Sequence, residues 1–391
     1  MKEVSKSALN HVKSYFFKVS LIALILLLVQ CKKDDEPLVE LGEVTDEVIM
    51  LGNPLLEQYK DDTPRVYARN IWDMHAFGSK IYLGAGNSSN VGPAPNSGRA
   101  VLWSYDIATQ AFVKEFTVDE EQIHLIREFD NQLYIPGHDS RESWDLGNFY
   151  RLESSEWKKY RTIPDGIHVY DIYKWKNRLF AAIGPQGSTK AIQVSEDDGQ
   201  TWKDAINSGG RIYNLFLMSN KLWTSGYSLM SYSDSSNTFL RPTPSSDMKL
   251  YGTGRMERTV VFDGQTVFIN GKADNDHQYL PVDLRSAIDV YNVNLLNLPE
   301  GALPRDILVK GKRLLVLTSV KINDNLYRNA VLGATSLAAL PVEWVELFHF
   351  TAGSFVRSFE YLNGAFYFGL GCETDLLLPA TGNILSFKYS L

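Results

Sequence analysis

The chain has 391 residues, 44% hydrophobic and 12% aromatic, with a formal net charge of −7. That acidity leaves no basic stripe for neutralising nucleic-acid phosphates. With only two cysteines, Cys31 and Cys372, there is no disulfide framework, so the fold must rest on an apolar core. There is no P-loop, no G-x-G-x-x-G after a strand, no C-x-x-C and no H-E-x-x-H, and neither cofactor nor metal is expected.

Residues 1–30 read as a targeting segment. Lys2, Lys6, Lys13 and Lys18 make a basic start, and Val19 to Val29 is an almost purely apolar run. The run is short for a bilayer span of about 20 residues and suits a signal peptide. It ends in Leu28-Val29-Gln30-Cys31, which resembles a bacterial lipobox, with Gln30 where a small residue is usual. The resemblance implies lipidation of Cys31 and a charged tether over 31–46, beginning Lys32-Lys33-Asp34-Asp35-Glu36. An exported protein anchored at the outer membrane or cell surface is therefore expected; a plain cleaved signal peptide is the alternative.

From Asn70 onward one pattern recurs: an alternating apolar strand, a turn with Gly, Asn or Asp, and a second strand carrying a large apolar anchor. It begins at Asn70, Gln122, His168, Arg211, Arg255, Ala302 and Phe355, with anchors Tyr82, Tyr134, Phe180, Trp223, Phe268, Leu315 and Tyr367 spaced 43 to 52 residues apart. Period-2 alternation rich in β-branched and aromatic residues argues for strands over helices. About four short strands per repeat predict an all-β, seven-bladed β-propeller with four-stranded antiparallel blades, spanning 47–391. The last repeat runs out of chain after a third strand at Gly382–Tyr389. The apolar run Glu47–Leu51 is therefore expected to complete it, with 47–64 serving as closing strand and lead-in, because an open ring leaves sheet edges exposed.

In the third repeat, Ser195-Glu196-Asp197-Asp198-Gly199-Gln200-Thr201-Trp202 fits S-x-D-x-G-x-T-W. This resembles the Asp-box of BNR-repeat propellers, a superfamily that includes the sialidases. Ser195 and Asp197 suit turn hydrogen bonds, Gly199 a positive φ, and Thr201 and Trp202 the end of the hairpin, so a structural staple is expected. A degenerate copy runs from Ser231 to Phe239. Sialidases carry an aromatic-Arg-Ile-Pro segment before the first blade. Here Tyr160-Arg161-Thr162-Ile163-Pro164 has an inserted Thr and ends the second repeat, so the chain is not a sialidase by motif.

The loops after each second strand and the starts of the first strands should share one face. The candidate ligand-binding residues there are His138, Arg141, Trp144 and Asp145 on the second repeat's loop. His168, Tyr170, Asp171, Arg211 and Arg255 join them at the channel mouth. An indole, carboxylates and guanidinium groups around one hollow suit a glycan. If the chain is an enzyme, Asp139, Asp145 and Asp171 are the carboxylates to test. The loops Asn87–Pro95, Lys272–His277 and Cys372–Asp375 are further candidates; Asp274-x-Asp276 lacks the rest of a calcium loop. The leading expectation is a surface-anchored, monomeric propeller binding an extracellular glycan or protein. The alternatives are a glycoside hydrolase or lyase acting on extracellular polysaccharide, and a periplasmic assembly scaffold.

Overall fold

The computed structural model describes residues 43–44, 47–60, 65–89, 96–185, 190–206, 210–250, 255–273 and 279–391. The signal segment, Cys31, most of the tether, 90–95 and 274–278 lie outside the described residues. The chain is all-β, with seven antiparallel four-stranded blades in a ring. Blade 1 contains Asp73–Phe77, Lys80–Gly84, Val101–Asp106 and Ala111–Thr117, and blades 2 to 6 repeat this meander in chain order. Blade 7 takes three strands from the end of the chain. Its fourth is Ile49–Gly52, which pairs antiparallel with Ile384–Lys388. Glu43–Val44 adds a fifth, parallel strand to the outer edge of blade 6.

Six of the seven anchors bury on a second strand facing the next blade; Phe268 packs instead with Phe216 and Trp223 of the preceding blade 4, and its neighbour Val267 faces blade 6. Tyr134, Phe180, Phe268 and Leu315 are fully buried, and Tyr82, Trp223 and Tyr367 nearly so. Among the described residues an apolar cluster fills each of the seven contacts between neighbouring blades, and an eighth gathers Tyr67, Tyr327, Phe355, Cys372 and Leu378. Phe180 packs with Leu215 between blades 3 and 4, and Tyr367 with Ile71 and Met74 between blades 7 and 1. No blade owns a complete core, so stability depends on the whole ring.

The third-repeat turn joins the last two strands of blade 3 and is closed by its own side chains. The Ser195 hydroxyl accepts from the Gly199 N–H at 2.8 Å and donates to Asp197 Oδ1 at 2.8 Å. Asp197 accepts from the Thr201 N–H at 2.8 Å and from its hydroxyl at 2.5 Å. The largely buried Trp202 donates to Thr162 Oγ1 at 3.0 Å. Gly199 sits at φ 89°, and an added Cβ would strike the Phe149 ring.

The phase of the sixth repeat also needs correction. Phasing the sixth repeat on Ala302 puts Leu303 in the buried position, but Leu303 is 39% exposed whereas its counterparts elsewhere in the ring are buried. Pro304 is the buried residue, one place later. This shift puts Arg305 and Arg357 at equivalent positions, as the channel lining shows.

Candidate functional site

Bulges in the inner strands build the channel mouth. In blades 3, 4, 6 and 7 the pairing of the first and second strands skips one residue, between Val169 and Asp171, Ile212 and Asn214, Pro304 and Asp306, and Val356 and Ser358. The skipped residues are Tyr170, Tyr213, Arg305 and Arg357. A bulge re-aims the extra side chain out of the ladder. Trp72, His124 and Glu257 hold the corresponding places in blades 1, 2 and 5.

These side chains touch in sequence around the opening. His124 Nε2 lies 2.8 Å from the Tyr170 carbonyl, which makes that nitrogen the donor. Tyr170 meets Tyr213 edge-on at 5.0 Å between centroids, and the Arg255 guanidinium lies 4.6 Å above the Tyr213 ring. Arg255 also pairs with Glu257 at 2.5 Å. On the other side, Arg357 lies 4.3 Å above the Trp72 ring.

Below this rim the channel holds buried ion pairs. Asp171 is fully buried and held by both nitrogen arms of Arg127, at 3.1 and 2.6 Å, and it accepts from the Leu215 N–H at 2.8 Å. Asp73 likewise accepts from the Ile126 N–H, and Asp306 from the Phe359 N–H, so each aspartate ties its blade to the next. Arg258 reaches from blade 5 to Asp73 at 2.6 Å and Asp306 at 3.5 Å, and it donates to the Trp72 carbonyl. Burial pushes Asp306 up to about 7, against the pull of Arg258 and with a further push from Asp73. Burial likewise raises Asp171 despite Arg127. With all its partners inside the protein, Asp171 belongs to this structural layer rather than to the open mouth.

The remaining sequence candidates divide in two. His138, Asp139, His168, Tyr170, Arg211 and Arg255 converge. The tilted ring of His138 lies 4.1 Å from that of His124 and meets Tyr170 edge-on at 5.4 Å. His168 Nδ1 lies 3.2 Å from both the His138 carbonyl and Asp139 Oδ1, and its ring stacks on Tyr170. These contacts put the second blade's loop on the face where the third blade's first strand begins. The exposed Arg211 donates to the Tyr170 hydroxyl at 2.9 Å. Burial depresses His124 to about 3 and His138 well below the usual histidine value, and neighbouring cations deepen both shifts. Both imidazoles are therefore neutral at the mouth.

Arg141, Trp144 and Asp145 lie further out along the same loop. Arg141 pairs with Glu121 at 2.8 Å, and Asp145 pairs with Arg161 on the outermost strand of blade 2. Trp144 is 48% exposed. Of the other loops, 90–95 and Asp274–His277 fall outside the described residues. Among the described residues no three His, Cys, Asp or Glu side chains converge to hold a metal.

Two features, Tyr227 and Glu121, carry no sequence expectation, and a third, Glu373, enters only as part of the candidate loop Cys372–Asp375. Tyr227, 72% exposed, follows the second strand of blade 4; its N–H donates to the Arg211 carbonyl at 3.0 Å, and its ring lies against the bare Cα of Gly210. An aromatic just after a strand-ending glycine is the signal that could have found it. Glu121 follows Glu120, which bridges Ser140 antiparallel, and its own N–H donates to the Asp139 carbonyl at 3.1 Å; burial, then Asp139, raises it to about 7 against Arg141. Glu373 sits between Arg305 and Arg357.

No family model matches the chain, and no curated protein does. Among solved structures, a chain from the crystal structure of a mitotic checkpoint complex is similar over 93% of this chain and 99% of its own, with a TM-score of 0.52 and 11% identity. An auxiliary nutrient binding protein from Bacteroides ovatus ATCC 8483 is similar over 89% of this chain and 75% of its own, with a TM-score of 0.43 and 11% identity. At such identity the likeness extends to fold alone.

Proposed function

We propose that this chain is a lipid-anchored binding propeller whose channel mouth takes an acidic extracellular glycan over blades 3 to 5. Arg211 carries the reading. It is exposed, it has no carboxylate within ion-pair distance among the described residues, and it is steadied by the Tyr170 hydroxyl beside the open face of Tyr227. A guanidinium free to meet a carboxylate, next to an aromatic face that accepts a sugar ring, is the chemistry of acidic-sugar recognition. Arg255 over Tyr213 continues the same surface. Trp144, further out on the blade 2 loop, offers a second stacking face for a longer chain.

The test is calorimetric titration with uronate-containing oligosaccharides and neutral ones of equal length. Arg211→Ala should weaken the acidic ligand by roughly tenfold or more while sparing the neutral one, and Tyr227→Ala should weaken both. Equal affinity for both ligands in the wild type would overturn the reading. The anchor is tested by fatty-acid labelling that Cys31→Ser should remove.

One observation favours a hydrolytic reading: the Glu121 N–H donates to the Asp139 carbonyl at 3.1 Å, which brings the two acidic residues together beside His168, and Glu121 is raised to about 7, where a carboxyl can serve as an acid. Reducing ends released during the same incubations, and abolished by Glu121→Gln, would select hydrolysis over binding.

A further inference from the structure

We infer that Arg305 and Arg357 form a second carboxylate subsite at the mouth, over blades 6, 7 and 1, occupied in this structure by the chain's own Glu373. The inference rests on the acidic-glycan reading and extends it to a gated position away from Arg211. Each oxygen of Glu373 meets a different guanidinium: Oε1 lies 3.0 Å from Arg305 Nη1, and Oε2 lies 3.3 Å from Arg357 Nη2. Both guanidinium groups rest on aromatic faces, Arg305 on Phe355 at 3.8 Å and Arg357 on Trp72 at 4.3 Å.

Neutral partners fix their orientation. Arg305 Nε donates to Ser319 Oγ at 2.7 Å, and Arg357 donates to Asn70 Oδ1 at 2.7 Å and to the Cys372 carbonyl at 2.8 Å. These contacts set geometry but carry no charge. Among the described residues, only Glu373 pairs ionically with either arginine.

The arrangement is a built cradle holding a carboxylate. The arginine side chains are 7% and 11% exposed and that of Glu373 is 24%, so the carboxylate caps the cradle from the solvent side. Burial alone would raise Glu373, yet Arg357 and Arg305 hold it below the usual carboxylate range, so it is ionised at neutral pH.

The two partners differ in how the fold carries them. The arginines stand on first strands, at bulges locked into the ring. Glu373 stands on the loop between Ala365–Gly371 and Ile384–Lys388, tied locally by a bridge to Leu376. A loop carboxylate can withdraw where strand-borne arginines cannot, and two buried cations left behind demand an anion of the same shape. A uronate carboxylate meets that demand, with Trp72 beside it for the sugar ring. The need for loop withdrawal lowers the apparent affinity of this subsite, because a ligand must compete with Glu373.

The test uses D-glucuronate, with glucose as the neutral control, in an Arg211→Ala background that silences the first subsite. Arg211→Ala/Glu373→Gln should bind glucuronate at least roughly tenfold more tightly than Arg211→Ala alone, and glucuronate should raise its melting temperature. Adding Arg357→Gln should abolish both effects. A folded double variant that gains no affinity for glucuronate overturns the second subsite. The first reading is untouched by that result, since it stands on the Arg211 titrations alone. If the double variant folds poorly, its recovery in glucuronate but not in an equal concentration of chloride supports the subsite, and no recovery overturns it.

Discussion

Replacing Asp306 by Asn should make the protein lose less stability than the wild type as pH rises, and the size of the effect follows from the channel's buried layer. Asp306 is 4% exposed and raised to about 7, whereas an unfolded chain holds an aspartate near 3.9. Between those values the folded state keeps a proton that the unfolded state has released. The ionised form therefore costs stability, fully so above about pH 7 and not at all below about pH 4. Roughly three pH units at about 1.4 kcal/mol each give a ceiling of about 4 kcal/mol. The aspartate accepts from the Phe359 and Ile307 N–H groups at 3.1 and 2.9 Å, through different oxygens. An asparagine there keeps the shape and one acceptor oxygen but carries no charge. Any cost of the lost acceptor is the same at every pH, so it offsets the curve without changing its slope.

Urea unfolding of both proteins at a series of pH values from about 4 to about 8 measures the difference directly. The comparison has to be between proteins, because other groups pull the wild-type slope both ways. Glu120 and Glu121, both raised to about 7, add to the loss on alkalinisation. His124 and His138, both depressed, act in the opposite sense, since their neutral forms favour the folded state as pH climbs through about 6.5. Subtracting one curve from the other cancels these terms. The Asn variant should gain on the wild type steadily up to about pH 7 and then run parallel to it. Curves parallel throughout would show that Asp306 titrates normally and that the Arg258 bridge fully compensates its burial.

Deleting residues 47–52 should lower stability by at least about 3 kcal/mol, roughly one for each of the three positions that pair with Ile384–Lys388, with a further loss from Val48 and Leu51, which pack on the cores either side of blade 7; Ile49 and Met50 add little because both are more than half exposed. An unchanged melting temperature in the shortened protein would show that this strand contributes nothing to closing the ring. Gly199→Ala should cost about 2 to 3 kcal/mol, through a positive φ and a clash with the buried Phe149 ring, without changing ligand titrations at the mouth. Loss of binding in a folded variant would refute a purely structural turn.

The blade pattern was readable because burial in a propeller is written locally. Alternation, a turn and an aromatic anchor each lie within about fifteen residues. Anchors such as Tyr134 and Phe180 are buried by the same rule in successive repeats, each against the blade that follows. The channel mouth is written differently. A bulge shifts the period-2 rule by one residue without leaving a fixed sequence mark, so the blade-to-blade equivalence of Tyr170, Tyr213, Arg305 and Arg357 at the opening is not written in the alternation. In the sixth repeat Leu303 and Pro304 are both apolar, and composition alone cannot say which of them is buried. The phase error that follows hid the equivalence of Arg305 with Arg357. The ion pairs beneath are less legible still. Arg258 meets Asp73 across a separation of 185 residues, a contact that exists only because the ring closes. Tyr227 and Glu373 sit on loops, where exposure obeys no periodicity. The residues most relevant to a ligand are thus set by closure and by bulges. Substituting them tests function, whereas substituting the anchors tests only the fold.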